Sequence, residues 1–316
     1  MVSLKRALVL GIVVLLAFGA VLSVGAQTKV KAAFIVSNQA NESQAFSARE
    51  FLKYGPTYGF DVSTFDAKGD TQVESQIVTN CIAQKFKVIF LNPNDIHAIV
   101  PAIIKAKQAG LIVGMFSSEL VGADQKYRDF AATSDDNLGG QLAAQQFIKA
   151  FPNGATVVEI GGQAGHNAQL QRHDGFNGDK GIKGSKIQVL DFKACQQWAT
   201  DQAQAIMEDD IVKYGNKIQG VFVHWDNGAT GVIQAAKAAG LKNIFIVGVD
   251  GNKAGYVQVK SGDQAVSIAQ DFTAMVKKEL SLAKDVLAGK KVQAFNVIPQ
   301  LIYDKSTVNN YPLPQW

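Results

Sequence analysis

Polar and aromatic side chains follow several short apolar runs in this sequence, at positions where a strand would end and a loop would begin. In the first half of the chain they are hydroxyls and amides, at Ser37, Asn38, Asn41, Asn92, Ser117 and Ser118. In the second half they belong to Trp225 and Asp250. Hydroxyl, amide and carboxylate groups bind the hydroxyl edge of a small molecule, and an aromatic ring packs against its apolar face. These residue types predict a binding site for a hydroxyl-rich ligand.

The elements that must position these groups are short β-branched runs, which alternate with helix-length amphipathic stretches. The runs lie at 30–37, 62–66, 88–91, 111–116, 156–160, 187–192, 220–224 and 244–249. This alternation predicts parallel sheets covered by helices, the α/β class. The series divides near Thr133, so we expect two doubly wound parallel-sheet lobes. Ligands of such sheets lie at the carboxyl ends of the strands, which places the cleft between the lobes.

Local signals predict where some helices begin and end. Thr71 and Glu74 have the spacing of a capping box that would open a helix. Gly110 and Gly240 each follow an alanine-rich stretch and precede a strand, so each is expected to end a helix.

The N-terminus predicts export. Lys5 and Arg6 precede an apolar run at 7–21, and small residues at 24–26 precede Gln27, which is the order of a secretory signal peptide. An uncleaved anchor is the alternative, but the run is near the lower limit for crossing a bilayer core of about 30 Å. We expect cleavage after residue 26. No cysteine lies at the cleavage site to carry a lipid, so we expect the exported chain to be free in solution.

The net charge limits the possible partners, and the chain length sets how many lobes can form. The formal net charge is +4, and the lysines are scattered rather than arranged in a basic stripe with aromatic residues. Nucleic acid is therefore a poor candidate partner. The part of the chain after residue 26 is long enough for two lobes of ordinary size.

Several segments together resemble the type I periplasmic binding proteins, and in particular their ribose-binding branch. They include Ala-Phe-Ile-Val-Ser at 33–37, Leu-Asn-Pro at 91–93, Ala-Thr-Ser-Asp at 132–135, Asp-Gly-Phe at 174–176, Val-Gly-Val-Asp-Gly at 247–251 and Ile-Ala-Gln at 268–270. Each segment alone is weak evidence for this family, whereas the order and spacing of the segments over the whole chain after residue 26 are specific to it. The resemblance implies a monomeric solute-binding protein that captures a small sugar or polyol between its lobes.

The resemblance also assigns lobes and partners. It implies three crossings, which give an N-terminal lobe of 27–133 plus 271–297 and a C-terminal lobe of 134–270 plus 298–316. Cys81 and Cys195 then fall in different lobes and should remain free thiols. The implied partner is the permease of an ABC transporter, with a chemoreceptor as a compatible second partner, and no cofactor or metal is expected. The ligand-contacting positions carried over are Asn41, Ser117, Arg172, Trp198, Trp225, Asp250 and Gln270, with Ser37, Gln44, Asn92 and Ser118 as further candidates.

The sequence departs from the ribose-binding pattern at the predicted site. Ser43 and Gln44 stand where a phenylalanine pair is usual, and Ser117 and Ser118 replace an Asp-Arg pair, with Glu119 nearby. Trp225 stands where an asparagine is usual. These changes leave the expected fold intact but put ribose in doubt as the ligand.

The same residues are compatible with functions other than solute binding. Asp250, Glu119 and Asp135 could form the carboxylate pair of a sugar hydrolase. The glycine-rich loop at 161–165 suggests a nucleotide site, but its glycines lack the spacing of known phosphate loops. A related repressor would carry a DNA-binding segment where this chain has an export signal. The histidines lack the spacing of a zinc site, and His166 and His173 are expected on the solvated face of a helix.

Four of the proposed contact residues also have a structural alternative. Arg172 could be an exposed helix charge, Asp250 could cap the next helix, and Trp198 and Trp225 could be core residues. Trp316 is expected to be a tail residue without a role.

Overall fold

A computed structural model describes residues 29–316, so the predicted signal peptide at 1–26 lies outside the described residues. The strands are β1 (Val30–Val36), β2 (Phe60–Asp66), β3 (Val88–Asn92), β4 (Ile112–Phe116), β5 (Phe130–Thr133), β6 (Ala155–Gln163), β7 (Ile187–Cys195), β8 (Gly220–Val223), β9 (Phe245–Asp250), β10 (Val266–Ala269), β11 (Phe295–Val297) and β12 (Leu301–Asp304). The helices are α1 (Glu42–Tyr58), α2 (Thr71–Ala83), α3 (Val100–Gln108), α4 (Asp136–Ala150), α5 (Asn167–Asn177), α6 (Thr200–Tyr214), α7 (Asp226–Ala238), α8 (Lys253–Ser261) and α9 (Phe272–Leu287).

These elements form two six-stranded sheets, in the orders β11-β5-β4-β3-β1-β2 and β12-β10-β9-β8-β6-β7. Every pairing is parallel except that of β12 with β10. The predicted α/β architecture of two doubly wound lobes is confirmed. We call the body around the first sheet the first lobe and the body around the second sheet the second lobe. The chain passes between the sheets after β5, after β10 and between β11 and β12.

Each sheet is buried on both faces, which explains why the strands read as continuous apolar runs. Phe34, Phe51, Phe90 and Phe116 pack together on one face of the first sheet. Trp316 differs from its expected role as a tail residue of the second lobe. It is buried, and its ring packs against Phe46 and Phe272 in the core of the first lobe.

Helix α2 begins differently from its prediction. Asp70, not Thr71, is the capping residue, because its carboxylate accepts hydrogen bonds from the backbone N–H groups of Gln72 and Val73. The predicted capping partner Glu74 instead turns into the lobe and accepts from the backbone N–H of Asn94. The glycine predictions are confirmed, since Gly110 and Gly240 follow α3 and α7 with φ values of 79° and 70°.

The two lobes contact each other across the cleft. Asn227 Nδ2 at the start of α7 donates to Glu42 Oε2 at the start of α1 over 3.0 Å. The structure therefore shows a closed arrangement of the lobes. Cys81 and Cys195 are buried and free, one in each lobe, as expected.

Candidate functional site

A pocket lies between the lobes at the carboxyl ends of their strands. It holds about 400 Å³ of space not filled by protein atoms, including its open mouth. Its lining residues are Asn41, Ser43, Gln44, Ser47, Asn92, Phe116, Ser117, His166, Arg172, Trp198, Trp225, Asp250, Gln270 and Phe272.

Arg172 on α5 is held in place from behind. Its Nε and Nη2 lie 2.9 and 2.8 Å from Asp136 Oδ1, and Nη1 donates to the carbonyl oxygen of His224. The guanidinium also lies over the Trp198 ring, 5.7 Å from its centroid. Arg172 is 3% exposed, which rules out the alternative of a solvated helix charge. A buried guanidinium fixed in this way presents its remaining N–H donors to the pocket in one orientation.

Trp198 and Trp225 form an aromatic wall. Their ring centroids are 5.5 Å apart with planes at 88°, an edge-to-face pair. Two glycines make room for the rings, because a Cβ at Gly162 would stand 1.9 Å from Trp198 and one at Gly228 would stand 2.6 Å from Trp225. The glycine-rich loop at 161–165 thus accommodates Trp198. Trp225 belongs to the core of the second lobe as well as to the pocket, and its Nε1–H has no acceptor among the described residues.

Asp250 follows β9 in an unusual backbone conformation. Its φ of 122° is one that residues other than glycine rarely adopt, and such strain concentrates at functional sites. Burial raises the pKa of Asp250 to about 8, against the opposing effect of Arg172, and the nearby Asp226 raises the pKa further. Gln270 Nε2 donates to Asp250 Oδ1 over 2.9 Å, which leaves Gln270 Oε1 buried without a donor. Helix α8 is capped by Asn252, so Asp250 is not its cap.

The first lobe contributes uncharged polar groups. Asn41 caps α1, and its Oδ1 accepts from the backbone N–H groups of Ser43 and Gln44, so only its Nδ2 donor remains for a ligand. Asn92 Nδ2 donates to the carbonyl oxygen of Phe116 over 3.0 Å. Ser117 is held with φ at 47°, in the left-handed region. This face therefore offers short, oriented hydroxyl and amide groups.

His166 reaches the pocket from the second lobe, contrary to its expected place on a solvated helix face. It caps α5, and its Nδ1 accepts from the backbone N–H of Ala168 over 3.2 Å. Burial lowers the pKa of His166 to about 4 and Arg172 lowers it further, so the ring is neutral at pH 7. The remaining proton then resides on Nε2, which points toward Asn92 Oδ1 across the cleft at 3.5 Å.

Nine of the eleven residues predicted for the site line this pocket, and Ser37 and Ser118 do not. The Ser37 hydroxyl is buried and bonds Gln44, with 2.9 Å to Oε1 and 2.6 Å to Nε2, so it orients that side chain from behind. Ser118 is buried in the first lobe. The lining residues that were not predicted are Ser43, Ser47, Phe116, His166 and Phe272.

Four other side chains that could serve a hydrolase or a metal site, Glu119, Asp135, His173 and His224, lie outside the pocket and are engaged within the protein. Glu119 forms an ion pair with Arg128, whose Nη2 lies 2.6 Å from Glu119 Oε2, and Asp135 caps α4. His173 and His224 both bond Glu159 inside the second lobe. Among residues 29–316, no group of three or more histidine, cysteine or acidic side chains is arranged to hold a metal ion.

The fold and the pocket together define a two-lobed solute-binding clamp. The sequence model described as "Periplasmic binding protein domain" matches residues 32–291, so the chain belongs to this family. Its relatives place it on the ribose-binding branch of type I periplasmic binding proteins. No helix within the described residues is long and apolar enough to cross a membrane.

Three similar proteins illustrate the relationship. The ribose import binding protein of Bacillus subtilis is 30% identical over 235 residues, which cover 74% of each chain. The ribose import binding protein of Salmonella typhimurium is 28% identical, over 88% of this chain and 92% of that protein. A carbohydrate transporter solute-binding protein from Agrobacterium radiobacter, solved in complex with D-arabinose, is 25% identical with a TM-score of 0.81, over 89% of this chain and 96% of that chain. All three are binding proteins.

Proposed function

We propose that this protein is the extracytoplasmic solute-binding component of an ABC transporter. It captures a small sugar or polyol by closure of its lobes and delivers it to the membrane permease. The related import proteins bind ribose, and the related solved structure holds D-arabinose. The protein itself performs no chemical step on its ligand.

The observation that carries the proposal is the pairing of unsatisfied polar groups with an aromatic wall in one cleft. Trp225 Nε1–H and Gln270 Oε1 are a donor and an acceptor without partners among the described residues. A buried group left without a hydrogen bond costs about 1–3 kcal/mol, which a ligand hydroxyl would recover. The pocket lining includes donors on Arg172 and Asn41, acceptors on Asp250, and ring faces on both tryptophans.

Closure gives the permease a signal to recognise. Ligand contacts to both faces stabilise the closed form, so the fraction of closed protein reports occupancy. The bond between Glu42 and Asn227 is one contact that exists only when the lobes are together.

A thermal-shift screen, followed by calorimetric titration, tests the binding proposal. The library holds pentoses, hexoses, inositols and linear polyols, with amino acids and nucleosides as unrelated solutes. Binding to the folded form alone adds about 2.7 kcal/mol of stability at a hundredfold excess over Kd. We expect shifts confined to carbohydrates or polyols and recovery of the ligand unchanged after incubation. A shift confined to amino acids or nucleosides, or conversion of the sugar to a product, would contradict the proposal.

Uptake measurements test delivery. We expect the source organism to lose high-affinity uptake of the radiolabelled ligand when this chain is deleted, and to regain it when the chain is restored. Unchanged uptake at ligand concentrations near Kd would contradict the role in transport.

A further inference from the structure

A second compartment adjoins the pocket described above. It holds about 640 Å³ of space free of protein atoms, against about 400 Å³ for the first pocket, each including its mouth. We call the first pocket the inner compartment and this one the outer compartment. The two share Asn41, Ser43, Trp198, Trp225 and Asp250. The residues that line only the outer compartment are Asn38, Ala40, Glu42, Gln163, Gln197, Ala199, Thr200, Asn227 and Asn252.

The outer compartment has unused hydrogen-bonding capacity. The side-chain amides of Gln163 and Gln197 make no hydrogen bond to another described residue. Gln197 is exposed, and the amide of Gln163 still reaches solvent although that residue is only 8% exposed. Each amide offers donors and an acceptor, the combination that matches a hydroxyl group. Both amides can therefore exchange water for ligand hydroxyls without first breaking a hydrogen bond within the protein.

The lining also indicates which substituent would fit. Among its described residues there is no lysine or arginine, and its two ionisable side chains are the carboxyl groups of Glu42 and Asp250. An anionic group such as a phosphate would therefore lack a counter-charge. Apart from the two tryptophans, the apolar lining consists of Ala40 and Ala199, which offers little surface to an alkyl chain. Amides, hydroxyls and an aromatic wall suit a neutral polyhydroxylated group.

The shared wall connects the two compartments. Trp198 and Trp225 border both spaces with their rings edge to face, so each compartment has aromatic surface for a sugar face. Ser43 is a small residue at the border, and its hydroxyl is occupied by a 2.6 Å bond to Asn41 Oδ1. Across the mouth, Asn252 Nδ2 bonds Asn227 Oδ1 over 2.8 Å, and Asn227 in turn bonds Glu42.

We propose that the outer compartment is a second carbohydrate subsite. The ligand is then a glycoside or short oligosaccharide, with one ring held by Arg172 and Gln270 in the inner compartment and a second neutral ring or polyol held by Gln163 and Gln197 in the outer one. This inference rests on the proposed function, because it assigns the ligand class of the same cleft. The inference also goes beyond the proposed function, because a monosaccharide in the inner compartment would leave the outer compartment without a ligand group.

Matched pairs of ligands test the inference. Calorimetry compares D-xylose with xylobiose, D-galactose with lactose, L-arabinose with arabinobiose, and D-ribose with its methyl glycoside and a ribosyl disaccharide. We expect at least one disaccharide to bind about tenfold or more tightly than its own monosaccharide, since two or more added hydrogen bonds of ordinary strength give a factor of this size.

Two variants locate the added affinity. Gln163→Ala removes one outer amide and should weaken disaccharide binding about fivefold while monosaccharide binding changes by less than about twofold. Ala199→Phe fills the outer compartment and should exclude the disaccharide while the monosaccharide still binds. Gln196→Ala is the matched control, because Gln196 is an exposed neighbour that lines neither compartment.

The outcomes separate this inference from the proposed function. If monosaccharides bind and every disaccharide binds about tenfold or more weakly, the outer subsite is disproved while the binding function stands. The same conclusion follows if Ala199→Phe binds the disaccharide normally. If no carbohydrate binds at all, the proposed function fails and this inference fails with it.

Discussion

The two faces of the cleft differ in charge and rigidity. The second lobe presents Arg172, Asp250 and an edge-to-face tryptophan pair, and its arginine is fixed by Asp136. The first lobe presents hydroxyls and amides on short side chains, with Asn41 and Asn92 each partly engaged by the backbone. Hydrogen bonds to charged groups contribute roughly 1.5–3 kcal/mol each, and neutral ones about 1 kcal/mol. The difference indicates that the second lobe supplies most of the affinity and the first lobe completes the enclosure.

The largest effect is expected from Arg172→Ala. Loss of the guanidinium removes charged hydrogen bonds to the ligand and should weaken binding at least about a hundredfold. It also leaves Asp136 unpaired inside the second lobe, so stability should fall by about 3–5 kcal/mol. Calorimetry and thermal melting measure the two losses separately.

Arg128→Ala is the matched control for that variant. Arg128 forms a buried ion pair with Glu119 in the first lobe, away from the inner compartment. We expect a comparable loss of stability with unchanged affinity. Equal losses of affinity in the two variants would mean that Arg172 acts through folding and not through contact with the ligand.

Trp225→Ala should weaken binding less than Arg172→Ala does, and it should lower both affinity and stability. The ring lines both compartments and is also 2% exposed within the core of the second lobe. Affinity should fall by about 2 kcal/mol, roughly thirtyfold in Kd, and stability by about 3–5 kcal/mol. Trp225→Phe should recover most of the stability but less of the affinity, because it lacks the indole N–H. A Trp225→Phe variant with normal affinity would contradict the contact role.

Asp250 should make stability depend on pH. An unfolded aspartate has a pKa of about 3.9, and in the folded chain burial raises the pKa of Asp250 to about 8. Between those values the folded chain holds a proton that the unfolded chain has released. The resulting stability is therefore complete below pH 4 and is lost as pH rises through about 8. Arg172 opposes the shift, and Asp226 and Asp136 reinforce it.

Melting curves from pH 5 to pH 9 test this dependence. In Asp250→Asn the side chain no longer titrates, so the fall in Tm over this range should be smaller by several degrees, since 1 kcal/mol corresponds to about 2–4 °C in domains of 150–250 residues. Glu74 also has a raised pKa, near 8, but it is present in both proteins and cancels in the difference. Identical slopes would mean that Asp250 is already ionised in the folded protein.

The sequence predicted the sheets better than it predicted the pocket, for physical reasons. Parallel sheets follow from the alternation of strands and helices, because each apolar run must be buried on both faces. Ser37 and Ser118 follow β1 and β4 as predicted, but both are buried in the first lobe and line neither compartment. Phe116 and Phe272 carry no sequence signal that separates a pocket wall from a core. His166 caps α5, but histidine is not among the residues that favour this position, so the sequence carried no signal for its place in the pocket.

The smallest effect is expected from the first lobe, at Ser117. A single neutral hydroxyl contributes about 0.5–1.5 kcal/mol, so Ser117→Gly should weaken binding about two- to twelvefold. Its φ of 47° is costly for serine but not for glycine, so the variant should keep or gain stability. Lys85, with φ at 61°, lies outside both compartments, and Lys85→Gly should relieve similar strain without changing affinity. Calorimetry and melting on both variants test the contrast. If Ser117→Gly costs as much affinity as Arg172→Ala, the two faces contribute equally and the proposed asymmetry between the lobes is wrong. If Ser117→Gly gains stability and loses a few-fold in affinity, serine is kept at this strained position for its hydroxyl.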